Sequence, residues 1–129
     1  MKIEANSLGT CAVVKGGERI SLGLVDAQGR NVEIQVSASD ACAIAMTLPR
    51  LLRHSLTEKY RDASLRYIFP LDTWQVEAAS DGRQVILTFA TGGGFEVSFA
   101  TRPTTCRSLG SALYESTETR VAKGLATQN

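Results

Sequence analysis

The chain has 129 residues, and its 14 basic and 13 acidic side chains leave a formal net charge of +1 at pH 7. This balance provides no broad basic field, so we expect neither nucleic acid nor a membrane surface as a partner. The length fits one domain, and 43% apolar residues are enough for a core. Because half of the chain would be marginal as an independent unit, we expect both halves to share a single core.

The first half predicts several β-strands joined by tight turns. Apolar and polar residues alternate over residues 19–25 and again over 32–36, which is typical of strands with one buried face. The segment between them, residues 26–31, is expected to form a hairpin loop. The other expected features are a short strand around Ile3, a strand over residues 10–15 and a turn at Gly16 and Gly17.

A helix is predicted after these strands. Ser39 and Asp40 offer the short side-chain oxygens that cap the first amides of a helix. Pro49 interrupts the segment, since proline lacks a backbone donor and clashes with the preceding turn. The apolar stripe stays in phase across it, so we expect the helix to kink at Pro49 rather than to stop. The stripe consists of Ala41, Ala45, Leu48, Leu52 and Leu56.

The second half repeats this order about 65 residues later. Its helix is expected to start near Pro103, where the missing donor costs little, with Thr101 or Arg102 as the cap. Beyond about Arg120 the pattern thins, and residues 121–129 are expected to form a disordered tail. The expected strands cover residues 74–79, 85–90 and 95–100, joined by turns at residues 80–82 and 91–94; Cys106, Leu109 and Leu113 follow on one helix face.

This order of parts predicts an α+β fold with an internal duplication. We expect two repeats, about 1–65 and 66–129, each an antiparallel β-meander plus a helix (βββα or ββββα). A pseudo-twofold would relate them around a single shared core, in one domain. Few identities support the repeat, among them Gly17 with Gly82 and Glu33 with Glu96. Coincidental patterning of two strand-rich segments is the alternative.

Two cysteines are the sharpest candidates for reactive side chains. Cys42 and Cys106 are both expected in the first turn of a helix, where the macrodipole lowers the pKa of a thiol. A structural role is favoured, because free cysteine packs as a small hydrophobe and a single histidine provides one base for two thiols. His54 with no second histidine predicts no metal site, and no cofactor is expected.

The three scattered cysteines indicate no disulfide framework, so we expect a reduced, cytoplasmic protein. The amino terminus lacks the apolar run of a signal peptide, and no apolar stretch approaches the length that spans a bilayer. No nucleophile elbow or Ser/His/Asp order can be recognised. We therefore favour a protein that is not an enzyme, and a cysteine-dependent enzyme is the least favoured of three hypotheses.

Two binding hypotheses remain open. In the first, the chain is an interaction or regulatory module that forms a homodimer through a sheet face. The outward sheet positions are small and rather apolar, and such a face is often covered by a second subunit or by the chain itself. In the second, a small molecule binds between the halves. Its candidate ligand-binding residues are Arg50, Arg53, His54 and Trp74, although the three on the helix also fit a solvated helix face.

Overall fold

The computed structural model describes the backbone of residues 1–127 and the side chains of residues 1–119. The fold is α+β, with two three-stranded antiparallel sheets and two α-helices. The chain divides into two compact units, Met1–Tyr67 and Ile68–Asn129. Each unit is a three-stranded meander followed by one helix, so the expected order of parts is present in both. The internal duplication and the pseudo-twofold remain predictions.

The first unit contains strands β1 (Ala5–Val14), β2 (Arg19–Asp26) and β3 (Asn31–Ser37), followed by helix α1 (Ala38–Tyr60). The strands pair in the order β1-β2-β3. The strand expected over residues 10–15 is the second half of the longer β1, whereas Ile3, around which a separate strand was expected, precedes β1 and lies in no strand. The register of β1 against β2 is irregular between Ala5 and Ser7 and again between Leu8 and Cys11. These irregularities interrupt the alternation of apolar residues along β1, so the sequence pattern predicted only its second half.

The turn at the end of β1 is tight and left-handed. A short 3-10 turn covers Lys15–Gly17, and Gly16 and Gly17 have φ angles of 65° and 98°. Lys15, with φ of 52°, also adopts this conformation, which costs a residue with a Cβ more than it costs glycine. The predicted glycine turn is therefore confirmed.

The second unit contains β4 (Thr73–Ala78), β5 (Val85–Ala90), β6 (Glu96–Thr101) and α2 (Pro103–Thr127). The three strands pair in the order β4-β5-β6, and their ends lie within one residue of the predicted ones. Residues 91–94 form the expected hairpin, in which the amide of Thr91 donates to the carbonyl of Phe95. Helix α2 continues to Thr127, into the segment for which a disordered tail was predicted; residues 128 and 129 lie outside the described residues.

Helix α1 begins two residues earlier than the predicted cap implies. The hydroxyl of Ser37, not of Ser39, accepts a hydrogen bond from the amide of Asp40 at 3.1 Å. The expected cap was wrong because Ser37 offers the same chemistry at the end of β3. Cys42 therefore lies in the second turn, beyond the amides that the helix leaves free. The helix runs through Pro49 without stopping, as expected.

Each sheet has one apolar face, but little of either face is buried. On the first sheet, Ile34 lies opposite Leu22 and was expected to be buried, yet it is 40% exposed. Leu87, at the centre of the second sheet and 8% exposed, is the one buried apolar side chain among the residues described. The alternation therefore predicted correctly which residues share a face. The expectation that these faces are buried was not met.

Candidate interaction surface

Three of the four predicted ligand-binding residues lie on α1. Arg50, Arg53 and His54 are exposed, and helical spacing places them on the side of α1 away from Leu48. His54 Nε2 lies 3.4 Å from Glu58 Oε1, one turn on, and both side chains are about two-thirds exposed. Such an exposed pair contributes little to stability. The arrangement matches the solvated helix face that the sequence left as an alternative.

The fourth residue, Trp74, belongs to an apolar groove inside the second unit. Trp74 is 69% exposed and lies on β4, directly opposite Phe89 of β5. Its neighbours on the same sheet face include Val76, which pairs with Leu87. We call this cavity of about 420 Å³ the α2 groove; it is lined by Leu71, Trp74, Val76, Leu87, Phe89, Cys106, Leu109, Gly110 and Leu113.

The helical wall of the α2 groove follows from the way α2 begins. A single residue, Arg102, separates the end of β6 from Pro103 at the start of the helix, and the amide of Cys106 already donates to the carbonyl of Arg102 at 3.0 Å. The side chains of Cys106, Leu109 and Leu113 then recur every three or four residues and so face the same way. A Cβ added at Gly110 would meet no atom within 4 Å. The groove is therefore open at this point and not filled by the unit itself.

The sheet wall of the groove is continuous with further apolar surface. The rings of Phe89 and Phe99 lie 6.5 Å apart on this face. The opposite face of the same sheet carries smaller side chains, and there the hydroxyls of Thr88 and Ser98 are hydrogen-bonded at 2.8 Å. The two faces therefore differ in character, and the apolar one opens into the groove.

A second uncovered apolar surface lies along α1. Apart from half-buried Ala41, Leu56 and Thr57, every residue of this helix is exposed. Leu48, for example, is 49% exposed. We call the exposed apolar side of the helix the α1 stripe; its large side chains are Ile44, Leu48, Leu51 and Leu52. The stripe predicted from the sequence shares Leu48 and Leu52 with it but did not include Ile44 or Leu51.

The charged side chain with the most hydrogen bonds, Asp26, is held by groups of its own turn. Asp26 is 4% exposed, and its Oδ1 accepts from the amides of Arg30 at 2.8 Å and Gln28 at 3.0 Å. Its Oδ2 accepts from Arg30 Nε at 2.8 Å. The hydrogen bond from the Arg30 amide, followed by that from its guanidinium, lowers the pKa of Asp26 despite burial. This carboxylate holds the β2–β3 turn closed.

A second carboxylate, in the segment after α1, is also held by its neighbours. The hydroxyl and the amide of Ser64 donate to Asp62 Oδ1 at 2.6 and 2.9 Å, and these bonds lower the pKa of Asp62. The partners of Asp62 and Asp26 all lie within four residues along the chain, in local turns. Neither carboxylate is placed as a proton donor to a ligand.

The cysteines do not have the burial expected of structural thiols. Cys11 and Cys42 are exposed, and Cys106 is partly covered in the wall of the α2 groove. Over the described residues, no three His, Cys, Asp or Glu side chains form a group that could hold a metal ion. In the same part of the chain, no helix combines the length and the hydrophobicity needed to cross a membrane.

Comparisons of the chain with protein-family models, with curated proteins and with solved structures found no match. Sequence reasoning included Trp74 among the candidate residues but missed the other members of the α2 groove as a site. The sequence pattern did place three of these residues, Cys106, Leu109 and Leu113, on one helix face. An apolar stripe looks the same in a sequence whether its cover comes from the same unit or from elsewhere.

Proposed function

We propose that the protein is a non-enzymatic interaction module that self-associates as a homodimer through its uncovered apolar surfaces. The observation that supports this proposal is the large accessible surface of the chain. It amounts to 10869 Å² for a mass of 13.9 kDa. A compact monomer of this mass exposes about 6,700 Å².

The excess does not depend on how the two units are arranged. Even two fully separate, individually compact units of half the mass would together expose about 8,100 Å². The surface of the chain exceeds this value by about 2,800 Å², so the chain exposes more surface than two compact units would. Obligate homodimer interfaces remove about 2,000–5,000 Å² in total from the two chains. The excess is therefore large enough for an interface of this kind.

The chemistry of the exposed surface points the same way. The α1 stripe and the α2 groove consist of large aliphatic and aromatic side chains, with Leu8 and Val13 exposed on the first sheet as well. Exposed apolar surfaces of this chemistry often mark interaction sites. A second copy presents the same surfaces, so a twofold pair can cover both in a closed assembly.

Sedimentation equilibrium from low micromolar to millimolar chain concentration tests the proposal. We expect the mass of two chains, and a thermal midpoint that rises with protein concentration, because association stabilises the folded state by mass action. A single-chain mass across the whole range, with a midpoint independent of concentration, would show that the proposal is wrong.

The α2 groove also supports a second candidate function, binding of an apolar small molecule. Its volume of about 420 Å³ lies within the range of about 300–1,000 Å³ that is usual for ligand pockets. A thermal-shift screen with apolar ligands tests this: a ligand at a hundredfold its Kd adds about 2.7 kcal/mol of stability. A pocket between the halves, which would combine Trp74 with Arg50, Arg53 and His54, remains a prediction from the sequence.

A further inference from the structure

We propose that the α2 groove of one copy receives the α1 stripe of a second copy. The contact is reciprocal, so each chain docks its α1 helix into the groove of the other. This inference rests on the proposed self-association and specifies its contact. Its starting point is that the groove is bounded by a sheet on one side and a helix on the other, with nothing from its own unit between Trp74 and Leu113. An amphipathic helix laid into an apolar groove is a common way to cover such a surface.

The α1 stripe has the chemistry that the groove requires. The groove is lined by aliphatic, aromatic and thiol side chains and by a glycine, with no charged residue among them. A segment that enters must therefore present apolar side chains alone, since an unpaired charge there would lose its hydration. Leu48 and Ile44 satisfy this condition, while Arg50, Arg53 and His54 stay on the water-facing side of the same helix.

The shape of the groove also favours a helix. Gly110 lies in the wall formed by α2, and the space around its missing Cβ is empty. A helix can therefore approach the backbone of α2 closely at this turn, while Cys106 and Leu113 flank the point of approach. The large side chains of the α1 stripe would fill the space that Gly110 leaves open.

A second copy is the partner that can cover both surfaces at once. Each chain carries one stripe and one groove, so two chains related by a twofold axis make two identical contacts and leave neither surface uncovered. The pair then removes four apolar surfaces from water in one closed step. This accounts for an excess surface in the range of an obligate dimer interface.

Two pairs of variants test the contact in the full chain. Leu48→Glu places a carboxylate in the stripe, whereas Met46→Glu, on the opposite side of α1 and 73% exposed, is its control. Gly110→Leu fills the groove and also favours the helix, so α2 is retained; Ser111→Leu, on the other side of α2, is its control. We expect Leu48→Glu and Gly110→Leu each to raise the dimer Kd about 30-fold or more, and both controls to leave it within about threefold.

Mixing the two disruptive variants distinguishes the reciprocal contact from other arrangements. In a mixed pair, the intact α1 stripe of the Gly110→Leu chain meets the intact groove of the Leu48→Glu chain, so one of the two contacts is restored. We expect the mixture to associate more tightly than either variant alone in sedimentation and in an energy-transfer assay with differently labelled chains. No gain on mixing, or equal Kd values for each variant and its control, overturns the inference.

The same measurements separate this inference from the function on which it rests. A dimer that survives both Leu48→Glu and Gly110→Leu overturns the reciprocal contact and leaves self-association standing. A wild-type chain that is monomeric at every concentration overturns both. Circular dichroism at the concentrations used checks that each variant retains its helices, so a change of Kd reports the contact.

Discussion

Arg30 Nε donates a hydrogen bond to Asp26 Oδ2 at 2.8 Å across the turn that joins β2 to β3. The carboxylate is buried while the side chain of Arg30 is largely exposed, so the ion pair lies at the surface with its anionic end covered. The other oxygen of Asp26 is used by two backbone amides. Ionised Asp26 is thus the form that the folded turn stabilises.

This turn makes the stability of the fold depend on pH in acid. Because folding lowers the pKa of Asp26, its stabilising contribution is complete above the ordinary aspartate value and is lost as the pH falls through the lower, folded value. Asp26→Asn should therefore be less stable than the wild type at about pH 7, and the difference should shrink near pH 3. Urea midpoints at fixed protein concentration measure it. A difference that stays constant over this range would contradict the role of the ionised carboxylate.

Gly23 is expected to tolerate no side chain. A Cβ at this position of β2 would collide with the backbone carbonyl oxygen of Thr10, in the irregular part of β1. We expect Gly23→Ala to lower the free energy of unfolding by about 1–3 kcal/mol, the usual cost of overpacking. Gly93→Ala is the matched control, because a Cβ there would meet no atom within 4 Å. Equal stabilities of the two variants in urea titrations would show that β1 can move away.

The cap of α1 predicts different effects for two serines that lie two residues apart. Ser37→Ala removes the acceptor for the amide of Asp40 and should cost about 1 kcal/mol. Ser39→Ala leaves this hydrogen bond in place and should change stability by less than about 0.5 kcal/mol. Chemical denaturation of both variants measures the difference. The reverse order of stabilities would support the cap expected from the sequence.

These elements show what the sequence could and could not predict. Strand positions, hairpins and the sharing of faces depend on neighbours along the chain, so alternation and glycine turns predicted β2, β3 and the second sheet closely. The first half of β1 was not predicted as part of this strand, because its irregular register lies where Thr10 approaches Gly23, a contact between strands. The groove was missed because hydrophobic patterning reports which side of an element avoids water and not what covers it.

Pro49 should be a point at which α1 can be strengthened. It lies in an exposed part of the helix interior, where it removes one backbone hydrogen bond. Pro49→Ala is expected to raise the free energy of unfolding by about 1–2 kcal/mol, since the gain in helix propensity exceeds the added freedom of the unfolded chain. Thermal and urea unfolding measure the change. A loss of stability would mean that the helix depends on the geometry that proline imposes.

The irregular register of β1 has a consequence for the way copies of this chain can add to one another. β1 is an edge strand, and an even row of free amides and carbonyls along such an edge would be a template for open-ended growth into fibrils. The breaks in its ladder between Ala5 and Ser7 and between Leu8 and Cys11 make this row uneven. Strand addition at this edge is thereby disfavoured, and a chain with much exposed apolar surface is protected there from polymerising.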